Sequence, residues 1–273
     1  MLAAVVQLHI EEDVDQNVSR SMQLVRDAVK AGAELIVLPE MIDYHGDKEG
    51  VPAIKTDIPG PVSDQFASLA RELGIWLLAG SLHENIPDSD HTYNTSVLFD
   101  RSGTEVARYR KLHLYDVHIP GRVEAMESAT IAPGQEVVTA DIEGHTAGLT
   151  ICYDIRFPEL YREIANRGAE IVFLPAAFTL FTGKDHWETL IRARAIENQC
   201  FMLASGQQGV DKNGRVTFGR SMIVDPWGTV LATAPDGDGF AIAELDFDRL
   251  EKIRAELPSL ANQRQEVFQP VLA

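Results

Sequence analysis

Two ten-residue stretches, A-G-A-E-L-I-V-L-P-E (31–40) and R-G-A-E-I-V-F-L-P-A (167–176), say nearly the same thing, once in each half of a 273-residue chain. Each passes from a glycine through an unbroken apolar run to a Leu-Pro pair. Such a run reads as a strand buried on both faces, which requires layers on either side of its sheet. Because the echo occurs only twice, it marks two related halves and excludes a solenoid of many repeats. It predicts strand–helix halves about a pseudo-twofold, with the residue after each Leu-Pro pair, Glu40 or Ala176, turned toward a shared crevice.

The same alternation fills the rest of the chain. A strand is expected at 2–8, then an amphipathic helix at 15–31 with Val18, Met22, Val25 and Val29 on one face. A helix at 63–73 and a strand at 75–81 follow, then two strands around the turn at Asp100–Gly103. The stretch 113–136, with Pro120-Gly121 and Pro133-Gly134, reads as one long irregular loop of the kind that carries function. Beyond it come a strand ending at Cys152, a helix to Arg167, a strand over 170–174, a helix over 184–198, and a hairpin turning at Pro226–Gly228. The alternation never breaks, so residues 1–273 read as a single α/β domain. The tail from about 258 has too few periodic apolar positions to fold alone and is expected to pack on the body or on a partner subunit.

Bulk chemistry narrows the partners. A formal net charge of −17 and no basic stripe argue against nucleic acid, whose binding depends on neutralising phosphates. Two cysteines in a chain of this length make no disulfide framework and suit a reducing, cytoplasmic setting. The N-terminal M-L-A-A-V-V-Q-L-H-I lacks a basic region and reads as a first strand, not a signal peptide. No segment reaches the roughly 18 apolar residues of a membrane span.

Three residues stand out as reactive. Cys152 ends an apolar run (147–151) and is followed at once by the charged pair Asp154 and Arg156, then by Phe157-Pro158-Glu159-Leu160, which reads as the first turn of a helix. A lone cysteine is usually a buried structural one. One placed on a strand-to-helix turn is instead expected to sit exposed at a sheet edge, its thiolate favoured by helix N–H groups. Glu40 follows a buried strand, so desolvation is expected to raise its carboxyl toward the range useful for proton transfer. On local sequence alone it reads equally as a loop glutamate. Lys111, at the end of a strand alternating Val106, Arg108 and Arg110, would help hold an oxyanion and keep a nearby thiol ionised. All three fall at the C-terminal ends of expected strands, the edge where layered α/β folds bind ligands.

Taken in order, L-P-E (38–40), Y-R-K-x-H-L (109–114) and I-C-Y-D-I-R-F-P-E-L (151–160) resemble the nitrilase superfamily of carbon–nitrogen hydrolases, and the likeness runs nearly end to end. T-G-x-x-H-W-E-x-L-x-R-A-R-A-I-E-N-Q (182–199) and G-R-S-M-I-V-D-P-W-G (219–228) extend it. The resemblance implies a four-layer αββα sandwich that pairs into homodimers through helices beside the nucleophile. It implies Cys152 as nucleophile, Glu40 as general base, Lys111 as transition-state stabiliser, and Glu127 as a second glutamate positioning the amide and Lys111. The oxyanion would be held by Lys111 and a backbone N–H, that of Tyr153. No metal or organic cofactor is implied. The amidase branch is the nearest in motif, and its substrates carry a terminal amide near a carboxylate or 2-oxo acid. In that setting Arg156 is the candidate anchor for a substrate carboxylate, or else an ion-pair partner of Asp154 or Glu159. Phe178 and His186 are expected to line the pocket, with Trp187 and Trp227 as packing.

Other readings stay open on the residues alone. N-carbamoyl amino acid hydrolases and nitrilases would use the same Cys-Glu-Lys set. An idle binding protein of the same fold would have no reason to keep all four residues. A metallohydrolase built on His113, Asp116 and His118 lacks any helical His-Glu-x-x-His pattern. Cys200 forms no Cys-x-x-Cys pair with Cys152 and is expected to be buried and inert.

Overall fold

Neighbouring residues of the first strand, β1 (Leu2–Gln7), belong to different cores: Ala3 and Val5 enter one, Ala4 and Val6 the other. The next strand, β2 (Leu35–Val37), divides in the same way, Leu35 and Val37 on one face and Ile36 on the opposite one. This is the period of a strand, and it shows why an unbroken apolar run was needed: both faces are covered.

The computed structural model describes residues 1–47 and 50–267. Between β1 and β2 lies the helix α1 (Val14–Lys30), capped by Asp13, whose carboxylate accepts from the Gln16 N–H at 3.0 Å. A cap of this kind contributes about 1 kcal/mol. After β2 come α2 (Val51–Ile54), α3 (Pro61–Leu73), β3 (Trp76–Leu78), β4 (Leu82–Asn85), β5 (Thr92–Phe99) and β6 (Glu105–Arg110). A hairpin of β7 (Asp116–Ile119) and β8 (Val123–Met126) leads into the second half. There follow β9 (Thr139–Ile142), β10 (His145–Leu149), α4 (Pro158–Asn166), β11 (Ile171–Ala176), α5 (Leu180–Asn198) and β12 (Phe201–Gly206). A small pair, β13 (Gln208–Val210) and β14 (Val216–Phe218), precedes β15 (Met222–Val224), β16 (Val230–Thr233), β17 (Gly239–Glu244) and α6 (Phe247–Glu256).

Among the described residues these strands make two large sheets. The first runs β17-β1-β2-β3-β5-β4 with β6 also on β5, and the second runs β16-β15-β12-β11-β10-β9. One core packs α1 and α3, through Val18, Val25, Phe66 and Leu69, on the outer face of the first sheet. The other joins the inner face of the first sheet to the second sheet and to α4 and α5, through Leu149, Phe173, Leu160 and Trp187. The result is the four-layer αββα sandwich. In each half the parallel strands, β1-β2-β3 and β10-β11-β12, pair around the echoed segment. α4 lies tight on β10: a Cβ added at Gly148 would fall 2.2 Å from a methyl of Ile164.

Several expectations change. The stretch 113–136 is no single irregular loop, because D-V-H-I and V-E-A-M pair across a turn at Pro120-Gly121, followed by a one-turn 3₁₀ helix at Glu127–Ala129. α5 begins at Leu180, four residues before the expected start. Trp227 is not packing but 57 % exposed. Asp225 collects the N–H groups of Trp227 and Thr229, at 3.0 and 2.7 Å, into a turn that displays the indole. Residues 258–264, 266 and 267 are largely exposed, and 268–273 lie outside the described residues. No helix among the described residues is long and apolar enough to cross a membrane.

Candidate active site

Three strand ends deliver the reactive side chains to one cavity between the sheets, of about 440 Å³. β2 ends at Val37, and Leu38-Pro39 carry the chain to Glu40, whose backbone carbonyl accepts from Gln207 Nε2 at 2.7 Å. Gly80 backs this corner at φ +56°; a Cβ there would lie 1.9 Å from the Pro39 carbonyl oxygen, so only glycine fits. Lys111 follows β6, its N–H donating to the Asn94 carbonyl at 2.9 Å. β10 stops at Leu149, three residues before Cys152, and a 3₁₀ turn (Cys152–Arg156) separates the cysteine from α4.

The thiol is therefore not exposed at a sheet edge. Cys152 is 8 % exposed and sits at φ +47°, a left-handed conformation that costs a non-glycine residue on the order of 1–3 kcal/mol. Asp154 holds this turn. Its carboxylate is fully buried and accepts from Ile151 N–H (2.8 Å), Tyr109 Oη (2.7 Å), His113 N–H (3.1 Å) and His113 Nδ1 (2.8 Å). The turn bearing Cys152 and the segment bearing Lys111 are thus pinned through one side chain. Asp154 is not paired with Arg156.

Lys111, 2 % exposed, lies between two carboxylates. Its Nζ is 2.9 Å from Glu40 Oε1 and 3.0 and 2.8 Å from the two oxygens of Glu127. Asn94 Nδ2 donates to the same pair, at 2.8 Å to Glu40 and 3.3 Å to Glu127. The other Glu40 oxygen accepts the Ala177 N–H at 2.8 Å, just past β11, and the Cys152 thiol also bonds Glu40. Glu127 Oε2 accepts the Tyr115 N–H at 2.6 Å.

Charge placement reverses two expectations. Burial pushes the Glu40 carboxyl up, but the charge and hydrogen bond of Lys111, with Cys152 and Asn94, outweigh it and hold Glu40 below the usual carboxylate range. Burial would neutralise Lys111, yet Glu127 and Glu40 hold its ammonium well above the ordinary lysine value. The Cys152 thiol is pushed well up, by burial first and then by the Glu40 carboxylate, against the smaller opposing pull of Lys111. The resting site is thus a protonated thiol beside an ionised carboxylate, the arrangement in which a base can take the proton during attack. Cys200, fully buried, is pushed up to about 12 by burial, with no such carboxylate bonded to it.

Tyr153, Arg156 and Phe178 line the cavity, together with Tyr115, Thr182 and Arg215. Arg156 lies 5.8 and 5.2 Å over the Tyr153 and Phe178 rings, and among the described residues no carboxylate pairs with it. Arg215 is tied to Asp211. His186 is not in the cavity wall: it is exposed on α5, with Nδ1 3.3 Å from Arg156 Nη1. His113, bonded to Asp154, stacks on Phe157 at 3.6 Å, while the His118 side chain is 68 % exposed on the hairpin. These two and Asp116 form no cluster suited to a metal ion.

Sequence reasoning missed Asn94, Asp154 and the Ala177 N–H. The first left little trace in sequence: T-Y-N-T-S (92–96) reads as a polar strand with no clean alternation, and only the structure shows Thr92, Asn94, Thr95 and Ser96 all buried. A backbone N–H leaves no trace in side-chain pattern.

Comparison with known proteins bears on the family and the fold. The carbon-nitrogen hydrolase family matches residues 2–255. The chain is 41 % identical over 263 residues to a Synechocystis protein named deaminated glutathione amidase, covering 95 % of this chain and 96 % of that one. It is 36 % identical over 265 residues to human omega-amidase NIT2, covering 97 % and 95 % respectively. The crystal structure of the Caenorhabditis elegans NitFhit protein superposes with a TM-score of 0.90 at 37 % identity, covering 98 % of this chain and 66 % of that longer chain.

Proposed function

Because the chain belongs to the carbon-nitrogen hydrolase family, we propose that this amidase cleaves a small carboxylated amide of the deaminated glutathione or omega-amide type, with Cys152 as nucleophile. The observation that carries the reading is the buried cluster in which Glu40 touches both the Cys152 thiol and Lys111. In this scheme Glu40 takes the thiol proton as sulfur attacks the amide carbon. The oxyanion forms beside Lys111 Nζ and the Tyr153 N–H. Glu40 then gives its proton to the departing nitrogen, and the C–N bond breaks to leave a thioester. Water, losing a proton to Glu40, attacks the thioester, and the acid departs as the thiol is restored. Glu127 and Asn94 keep Lys111 and Glu40 in place. No step draws on a metal or an organic cofactor.

Arg156, free of carboxylate partners among the described residues and resting on two cavity rings, supports a carboxylate on the acyl part of the substrate. Two unpaired thiols suit a reducing, cytoplasmic setting. We read residues 1–273 as one hydrolase domain acting as a homodimer. Ile196 of α5, 49 % exposed, lies against Gly228 beside the exposed Trp227, an apolar face suited to a second copy. α5 also reaches the nucleophile turn, where Arg194 holds the Ile155 carbonyl at 2.9 and 2.7 Å.

Amine or ammonia release from 2-oxoglutaramate, succinamate, deaminated glutathione, an N-carbamoyl amino acid and an aliphatic nitrile, compared between wild type and Cys152→Ala, tests the reading. Cysteine-dependent turnover of the carboxylated amides is expected. Turnover confined to the carbamoyl compound or the nitrile would move the substrate class while keeping the nucleophile. Full activity in Cys152→Ala would remove the mechanism.

A further inference from the structure

The histidine of the Y-R-K-x-H-L motif has no part in the chemistry above, yet it bears on the Cys152 turn in two places. The chain reaches His113 from β6, only two residues after Lys111. Its backbone N–H (3.1 Å) and its ring Nδ1 (2.8 Å) both meet Oδ1 of Asp154, the middle residue of the Cys152–Arg156 turn. The other Asp154 oxygen is taken by Tyr109 Oη and the Ile151 N–H, so the imidazole supplies a separate tie. The face of the same ring lies on Phe157, which closes the turn and opens α4, with centroids 3.6 Å apart and planes 8° from parallel. Phe157 in turn meets Tyr153, the neighbour of the cysteine, edge-on at 5.4 Å. One imidazole therefore holds the turn at its middle and at its far end. It is no part of the cavity wall.

The turn needs a hold from outside. A 3₁₀ turn of five residues has few hydrogen bonds of its own, and their geometry is poor. Cys152, at φ +47°, keeps a conformation that persists only where the surroundings over-determine it. The groups that must meet also come from different sheets: Lys111 follows β6 of the first, and Cys152 follows β10 of the second. His113 joins these two segments directly. Its bond fixes where Asp154 points, and its stacked face fixes how near the end of the turn comes to the Lys111 segment. Resting on the function proposed above, we infer that His113 is a positioning residue, which sets the Cys152 thiol against Glu40 and Lys111 by gripping the turn through Asp154 and Phe157.

Two substitutions separate the contacts. His113→Phe keeps a ring on Phe157 and removes the donor to Asp154. His113→Asn keeps that donor, because its Nδ2 takes the place of Nδ1, and removes the ring. The side chain is 27 % exposed, so neither change empties a core site. Each protein is read per folded molecule in two ways. The first is kcat and KM on the carboxylated amides named above. The second is alkylation of Cys152 by iodoacetamide, followed by the mass of the labelled peptide. There the sulfur–carbon bond forms, iodide leaves and the thiol proton passes to Glu40, so the rate depends on where the thiol sits and not on substrate recognition. His113→Phe is expected to lower kcat on the order of 10²-fold with KM within about two-fold, and to slow alkylation in step. His113→Asn is expected to recover kcat to within about ten-fold of wild type. A histidine that only adds stability would shrink the folded fraction and leave kcat per folded molecule as it was. A His113→Phe protein within about three-fold of wild type in kcat and in alkylation, a loss confined to KM, or His113→Asn as impaired as His113→Phe would each overturn the inference. So would failure of both variants to fold, which would make the residue a determinant of the fold itself. Wild type silent on every carboxylated amide would take down the proposed function, and the alkylation rates would then decide the inference alone.

Discussion

The two echoed strand ends do different work with almost the same sequence. β2 runs out through Leu38-Pro39 to a carboxylate, and β11 through Leu174-Pro175 to an alanine. The first supplies the side chain of Glu40, and the second supplies only the Ala177 N–H, which holds Glu40 at 2.8 Å. A pseudo-twofold arrangement of strands thus yields a one-sided site: one half contributes Glu40 and Lys111, which the proposed scheme uses as base and cation, and the other contributes Cys152, its proposed nucleophile, and a fixed backbone donor. Matching scaffold brings the two ends to the same crevice, and the single residue after each proline decides what arrives there.

The largest test of that asymmetry is Glu40→Gln. It keeps the shape and an acceptor for Ala177 but removes the proton carrier, so kcat/KM for any accepted amide should fall on the order of 10³-fold. A loss under about ten-fold would show that the charged strand end is no more reactive than its neutral counterpart. Next is Asp154→Asn, aimed at the tie between the halves. An amide cannot accept from all the donors that Asp154 now serves, so stability should drop about 1–3 kcal/mol in chemical denaturation. The displaced turn should lower kcat on the order of 10² with KM little changed. Loss of stability with kcat intact would mean the turn keeps its geometry without that tie. The smallest effect is in pH. Glu40 is held below its ordinary value, so its ionised form, and the stability it contributes, is complete above that ordinary value and lost only as pH falls through the depressed one. The acid limb of kcat/KM should therefore lie below about pH 4.3, the ordinary glutamate value. A limb near pH 6 would put Glu40 in the raised state that burial alone dictates.

That last contrast shows where the sequence is legible. The apolar runs around Leu35–Val37 and Ile171–Ala176 announce buried strands because their neighbours in sequence suffice to define them. The placement of Lys111 directly after β6 is legible in the same way, whereas Glu40 and Cys152 each lie three residues past the end of their strands. The sign of the Glu40 shift does not follow from its neighbours, because the cation that sets it lies 71 residues away. Cys152 fails in the same way: an apolar approach followed by Asp154 and Arg156 suggests an exposed thiolate. Asp154 instead turns inward to Tyr109 and His113, and the thiol stays buried and protonated. The 3₁₀ turn and the β7–β8 hairpin were hidden for a third reason. Both are short, and turn chemistry at Pro120-Gly121 identifies a reversal without showing that the flanks pair. The motif around His186 suggests a pocket residue, but helical periodicity turns it to the solvent side of α5, where it meets Arg156.

Lys111, buried and clasped by two carboxylates, has a consequence for how negative charge travels. At rest the cavity centre holds two anions and one cation. When the thiol proton passes to Glu40 and sulfur attacks a neutral amide, Glu40 loses its charge as the carbonyl oxygen gains one. The total is unchanged, and the same ammonium adjoins both places. The proposed reaction therefore relocates an anion over the span of a single lysine head group without creating or discharging one in a low-dielectric interior. Little solvent has to reorganise when the bond breaks, because the counter-ion for the transition state is already there, held until then by the base itself.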